Sequence, residues 1–150
     1  MSNNYLQFSI ELVPVKGKTD EIKEIFQQLE DWESMENTSH VVFQSGAGQE
    51  LMQVIIDEEH VGFTVQIHED ELFVYAEEYG SPEQAALFIQ TLMVNNLVLF
   101  ENFILLTWAE TCSKPRPDEF GGGACMITPK EIHWRESAHQ WANDLFATHG

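Results

Sequence analysis

The chain is short of positive charge. It holds seven lysines and arginines against 25 aspartates and glutamates, a formal net charge of −18. Residues 24–113 contain no lysine or arginine, while 17 carboxylates fall within them. Direct nucleic-acid binding needs a basic footprint that displaces phosphate counterions, and this span supplies none. Docking on an anionic membrane is disfavoured on the same ground. Long apolar runs are missing too. The richest window, residues 85–106, is broken by Gln90, Asn95, Asn96, Glu101 and Asn102, whereas a membrane-crossing helix needs about 20 mostly apolar residues. The opening MSNNYLQF has neither the basic start nor the apolar core of a secretory signal. Two cysteines are too few for a disulfide framework. Together these absences predict a cytoplasmic protein with reduced thiols.

What is present suits a globular fold. At 150 residues the chain has the usual size of one domain, and a domain of that size buries about two-thirds of its unfolded surface without needing a metal or disulfide. No repeat, low-complexity tract or linker divides it, so residues 1–150 are read as a single domain.

Hydrophobic periodicity sets the expected elements. Residues 5–15 alternate as a strand, with Leu6, Phe8, Ile10 and Leu12 on one side. Thr19 opens a helix to Trp32 whose apolar face is Ile22, Ile25, Phe26, Leu29 and Trp32. Four extended runs are expected at residues 41–44, 51–56, 62–68 and 72–79. Their short connectors, Gly46-Ala47-Gly48, Asp57-Glu58-Glu59-His60 and Glu69-Asp70, suggest hairpins. Ser81-Pro82-Glu83-Gln84 combines a capping serine, a first-turn proline and a capping-box glutamine. The helix it opens runs to Asn95 or Asn96 and is apolar on most of its circumference, which predicts a central position. Residues 102–110 and 124–127 read as strands, Thr128-Pro129-Lys130-Glu131 as a second capping box, and Ser137 as the start of a last helix carrying Trp141, Leu145 and Phe146. The order β-α-β-β-β-β-α-β-β-α predicts an α+β fold, an antiparallel sheet with helices packed on one face.

The segment TCSKPRPDEFGGGAC, residues 111–125, concentrates unusual chemistry. A catalytic Cys112, activated by Lys114, Arg116 or a histidine, would also need a base and an oxyanion site, and no family signature surrounds either cysteine. The two cysteines could instead meet as a cross-strand pair, or simply pack. The glycines precede a strand rather than a helix, which weakens a phosphate-loop reading. His133 and His139 are six apart, wrong for two ligands on one helical face. No catalytic site, metal or cofactor is therefore assigned. The segment reads as a stiff Lys-Pro-Arg-Pro arm followed by a corner suited to binding, through Lys114, Arg116, Asp118, Glu119, Phe120, Gly121, Gly122 and Gly123. The acid pairs at predicted turns read as solvated surface.

Two strands are apolar on both sides. Phe73 and Tyr75 oppose Leu72, Val74 and Ala76, and Trp108 lies in a run where Ile104 and Leu106 alternate with Phe103 and Leu105. Such strands need cover on both faces, which predicts a homodimer interface containing Phe73, Tyr75 and Trp108. In element order, size and charge the chain resembles the small acidic dimeric chaperones of bacterial type III secretion, a resemblance that implies an adaptor or chaperone-like role. The expected function is a non-enzymatic, homodimeric interaction module that binds a more basic protein, with no direct nucleic acid and no membrane as partner. Two alternatives stand beside it: an acidic mimic of nucleic acid that blocks a DNA- or RNA-binding protein, and an enzyme using Cys112.

Overall fold

A computed structural model describes residues 4–34, 39–112 and 121–135. Among the described residues, seven strands form one antiparallel sheet: β1 (Asn4–Pro14), β2 (Thr64–His68), β3 (Glu71–Ala76), β4 (Val98–Leu99), β5 (Ile104–Cys112), β6 (Gly121–Ile127) and β7 (Ile132–Arg135). The spatial order is β2-β3-β1-β5-β6-β7, with β4 on the C-terminal end of β1. The helices are α1 (Thr19–Glu30), α2 (Gly46–Glu58) and α3 (Pro82–Val94). The fold is thus α+β, as the hydrophobic pattern predicts.

One face of the sheet makes the core. Phe8, Leu12, Leu72, Val74, Leu106, Cys125 and Ile127 are buried against Ile22, Ile25 and Leu29 of α1, Leu51 and Ile55 of α2, and α3. Helix α3 is buried from Gln84 to Met93, which makes it the centre of the helical layer. Phe88 stacks against Phe63 and Phe26, with ring centroids 5.0 and 6.3 Å away. The polar groups of this helix find partners inside it and beyond: Thr91 Oγ1 donates to Leu87 O at 2.7 Å, and Gln90 Nε2 to Thr128 O at 3.0 Å.

The α3 start follows its sequence signature. Ser81 is extended at the cap, and its Oγ accepts from Gln84 N–H at 3.2 Å. For α1 the capping position is Lys18 rather than Thr19, with no side-chain cap bond.

Three local expectations are overturned. Residues 51–56 are helical, within α2, and not a strand. The run Val54-Ile55-Ile56 has strand propensity, but burial falls at Gly48, Leu51 and Ile55, a helical spacing that tertiary packing rewards. The Gly46-Ala47-Gly48 connector is the first turn of that helix, and Asp57-Glu58-Glu59 is its end, closed by Glu59 in the left-handed region at φ 62°. Residues 41–44 are not extended either. Val41–Phe43 is a 3-10 turn in which His40 Nδ1 accepts from Val42 N–H at 3.1 Å.

Thr128-Pro129-Lys130-Glu131 starts no helix. Thr128 Oγ1 accepts from Lys130 and Glu131 N–H at 3.2 and 3.0 Å, and Thr128 N–H donates to Glu131 O at 2.9 Å. These bonds close the β6–β7 hairpin. The same four residues fit a helix start or a turn, and the residues that follow choose between them: Ile132-His133-Trp134-Arg135 forms a strand. The expected last helix, from Ser137 through Trp141, Leu145 and Phe146, lies outside the described residues.

Candidate functional site

The segment singled out in the sequence divides. Lys114, Arg116, Asp118, Glu119 and Phe120 lie outside the described residues. Gly121, Gly122 and Gly123 belong to β6, where they pair with Glu110, Ala109 and Trp108 of β5. They form regular strand, so no left-handed turn is needed, but close approach is. A Cβ at Gly122 would stand 2.5 Å from the Trp108 carbonyl oxygen.

The cysteines are set apart by register. Cys112 stands opposite Asn4 and Cys125 opposite Leu106. Six residues of β5 separate the two levels, about 20 Å at ~3.3 Å per residue, so the cross-strand pair is not formed. Cys125 is free and buried, and burial pushes its thiol up from 9.0 to about 12. It is a core residue and a poor nucleophile. Because the folded thiol holds its proton more tightly than the unfolded one, its contribution to stability is complete below pH 9 and fades as pH rises towards 12. In a Cys112→Ser background, iodoacetamide at pH 8 is expected to leave Cys125 unmodified until denaturant is added. Rapid labelling of the folded protein, followed by mass spectrometry, would contradict this placement.

Among the described residues, no three or more histidines, cysteines or acids converge as metal ligands. His133 is exposed and pairs with Glu131 at 2.9 Å, and His139 lies outside the described residues. His40 is largely covered, 3.5 Å from Glu21.

The sheet presents two surfaces. The first is its outer face, opposite the helices. Phe73 and Tyr75 are there, half-buried, opposite Glu11 and Ser9 of β1 and Gln66 and Thr64 of β2. An open hollow of about 490 Å³ adjoins Tyr75 between Gln7, Ser9 and Glu77. Further along, Val13 and Leu99 face each other across β1 and β4, and Leu105 stands beside Met126 across β5 and β6. Val13, Leu99 and Leu105 are all more than half exposed, with Phe103 close to half, just before β5. Trp108 does not join this group. It has the same parity as buried Leu106 and therefore belongs to the helix side of the sheet.

The second surface surrounds Trp108. Its ring meets Trp134 of β7 at 6.0 Å with the planes 60° apart. The strands carrying them are separated by β6, and Gly123, opposite Trp108, adds no side chain between the rings. The two tryptophans line a groove of about 440 Å³ together with Leu6, Pro82, Glu83 and Glu110. A neighbouring hollow shares Glu83 and Trp134 and adds Glu50, Lys130 and Glu131. Nothing in the spacing of Trp108 and Trp134 along the chain announces this pairing, because it depends on two strand registers at once.

No helix among the described residues is long and apolar enough to cross a membrane. No protein-family model, curated protein or solved structure matches the chain.

Proposed function

We propose that the protein is a non-enzymatic interaction module of the cytoplasm, an adaptor or chaperone-like homodimer that binds a more basic protein. The observation that carries this reading is that, among the described residues, helices cover only one face of the sheet. Three helices cover the inner face, while exposed Val13, Leu99 and Leu105 stand on the outer face with half-buried Phe73 and Tyr75. Large apolar side chains gathered on one exposed sheet face suit an interface, and two-fold pairing through the same face on each copy is the commonest way to cover them. Glu11, Glu71 and Glu77 border the patch on the outer face, and most other carboxylates lie away from it. Those others occupy α1, the end of α2, the β2–β3 turn and the segment after β3, where they can draw in a basic partner.

That distribution also ranks the alternatives. Acids spread over four separate elements support a module better than a nucleic-acid mimic, which needs them aligned along one ridge at about the phosphate spacing. The high pKa and burial of Cys125 favour binding over thiol chemistry at that position, while the Cys112 alternative rests on the sequence alone.

The test is capture from the native host at physiological salt, beside an unrelated folded protein of equal negative charge. The reading expects a basic protein retained by this chain alone and released by added salt. The same set of proteins on both baits would reduce the interaction to bulk charge and overturn it.

A further inference from the structure

We propose that the Trp108–Trp134 groove is an arginine-binding slot, the place where an arginine of a basic partner is seated. The inference rests on the interaction-module reading and adds a site to it.

Four observations meet there. First, two indole rings stand at 60° to each other at one end of the helical layer, and Trp134 remains 44% exposed. Planes set at an angle leave ring faces open to a flat cation, and tryptophan is the strongest of the aromatic partners for a guanidinium. Second, Glu83 and Glu110 line the same groove and are exposed. Neither has a lysine, arginine or histidine at ion-pair distance among the described residues. A carboxylate beside an aromatic face suits a guanidinium, which can stack and donate a pair of hydrogen bonds together. Third, Leu6 and Pro82 supply apolar wall for the aliphatic stem of the same side chain. Fourth, the volume of about 440 Å³ lies in the range of clefts that hold small ligands and leaves space for flanking peptide.

The groove also borders the start of α3, and a helix N-terminus ordinarily favours an anion. Here that preference is cancelled locally. Pro82 has no N–H, Ser81 Oγ takes the Gln84 N–H, and Glu83 places its own negative charge in the first turn. Lys130 lines the neighbouring hollow, which Glu83 and Trp134 also border, but it forms no ion pair with Glu83, and Glu50 and Glu131 outnumber it there.

The probe is a short peptide alternating arginine with glycine, titrated calorimetrically into the full chain at physiological salt. Its control is the same peptide with citrulline in place of arginine, which keeps the shape and loses the charge. The arginine peptide is expected to bind and the citrulline peptide to bind at least tenfold more weakly. Trp134→Leu, which leaves net charge unchanged, is expected to weaken arginine-peptide binding about tenfold. Glu83→Gln/Glu110→Gln is expected to do the same without touching either ring. Glu30→Gln/Asp31→Asn removes equal charge at the C-terminal end of α1 and is expected to leave affinity within twofold. Near-ultraviolet circular dichroism establishes that each variant is folded. If both acid pairs weaken binding equally, or Trp134→Leu has no effect, the peptide follows bulk charge and the slot is refuted while the basic-partner reading stands. If the peptide fails to bind the parent chain, the slot is refuted, and the basic-partner reading is decided separately by the capture experiment. A tryptophan signal that changes with protein concentration and not with peptide would assign the groove to a second copy and would equally overturn the proposal.

Discussion

Gly48→Ala is expected to destabilise the protein by about 2–3 kcal/mol, although alanine is the better helix former by about 1 kcal/mol in an open helix. A Cβ at this position in α2 would collide with the carbonyl oxygen of Val42 and stand 2.7 Å from its carbonyl carbon. Both atoms are backbone of the 3-10 turn, which cannot rotate away as a side-chain end would. Relief requires α2 and the turn to separate, and Val42, Phe43, Leu51 and Ile55, all buried, meet in that region. Overpacking of this type costs about 1–3 kcal/mol and occasionally more, enough to outweigh the gain in helix propensity. Urea denaturation followed by circular dichroism measures the change. A variant as stable as the parent would show that the two segments are not packed backbone to backbone.

Gln84→Met is expected to cost about 2–4 kcal/mol while preserving side-chain volume. Gln84 is fully buried. Its Oε1 accepts from Gly62 N–H at 2.7 Å, and its Nε2 donates to the Glu58 carboxylate at 2.7 Å and to His60 O at 3.0 Å. One side chain therefore ties the end of α2 and the approach to β2 onto the first turn of α3. Ser81 N–H completes the junction by donating to Gly62 O at 2.8 Å. The thioether replaces none of these bonds, and the Gly62 N–H is left buried without its acceptor. Removing one partner of a buried hydrogen bond exposes the full desolvation penalty of the other, about 1–3 kcal/mol, with more where the partner is charged. The same denaturation assay decides, and a loss under about 1 kcal/mol would mean that water substitutes freely for the amide.

Gln84 also shows how much of the fold the sequence discloses. Ser81-Pro82-Glu83-Gln84 identifies the start of α3 because a cap is a local event, fixed by the φ of proline and the reach of a serine oxygen. The capping-box role expected of Gln84 is not what its side chain does. It turns to residues 58–62, some 22–26 positions earlier, and no local pattern encodes that. Strands β1, β2, β3 and β5 are likewise legible from their alternation, and Glu69-Asp70 is the hairpin turn it promises to be, with Glu69 at φ 55°.

Residues 41–58 depart from their sequence pattern for a physical reason. Glycines read as punctuation, and a β-branched run read as strand, but Gly48 is there to let two backbones touch. The candidate sites divide in the same way. Phe73 and Tyr75 are placed on the outer face by alternation alone. Trp108 follows the same rule to the opposite face, and its partner Trp134 becomes visible only when β6 and β7 are paired.

The outer face of the sheet is the proposed dimer interface, and sedimentation equilibrium at micromolar concentration and physiological salt tests it. The parent chain is expected to sediment at twice its 17.2 kDa. Leu99→Glu/Leu105→Glu changes two side chains that are 58% and 53% exposed, so the fold should survive while the apolar patch gains buried charge on association. That variant is expected at the monomer mass with an unchanged circular dichroism spectrum. A parent that sediments near 17.2 kDa at every concentration, or a variant that remains dimeric, would contradict the assignment of this face as the interface.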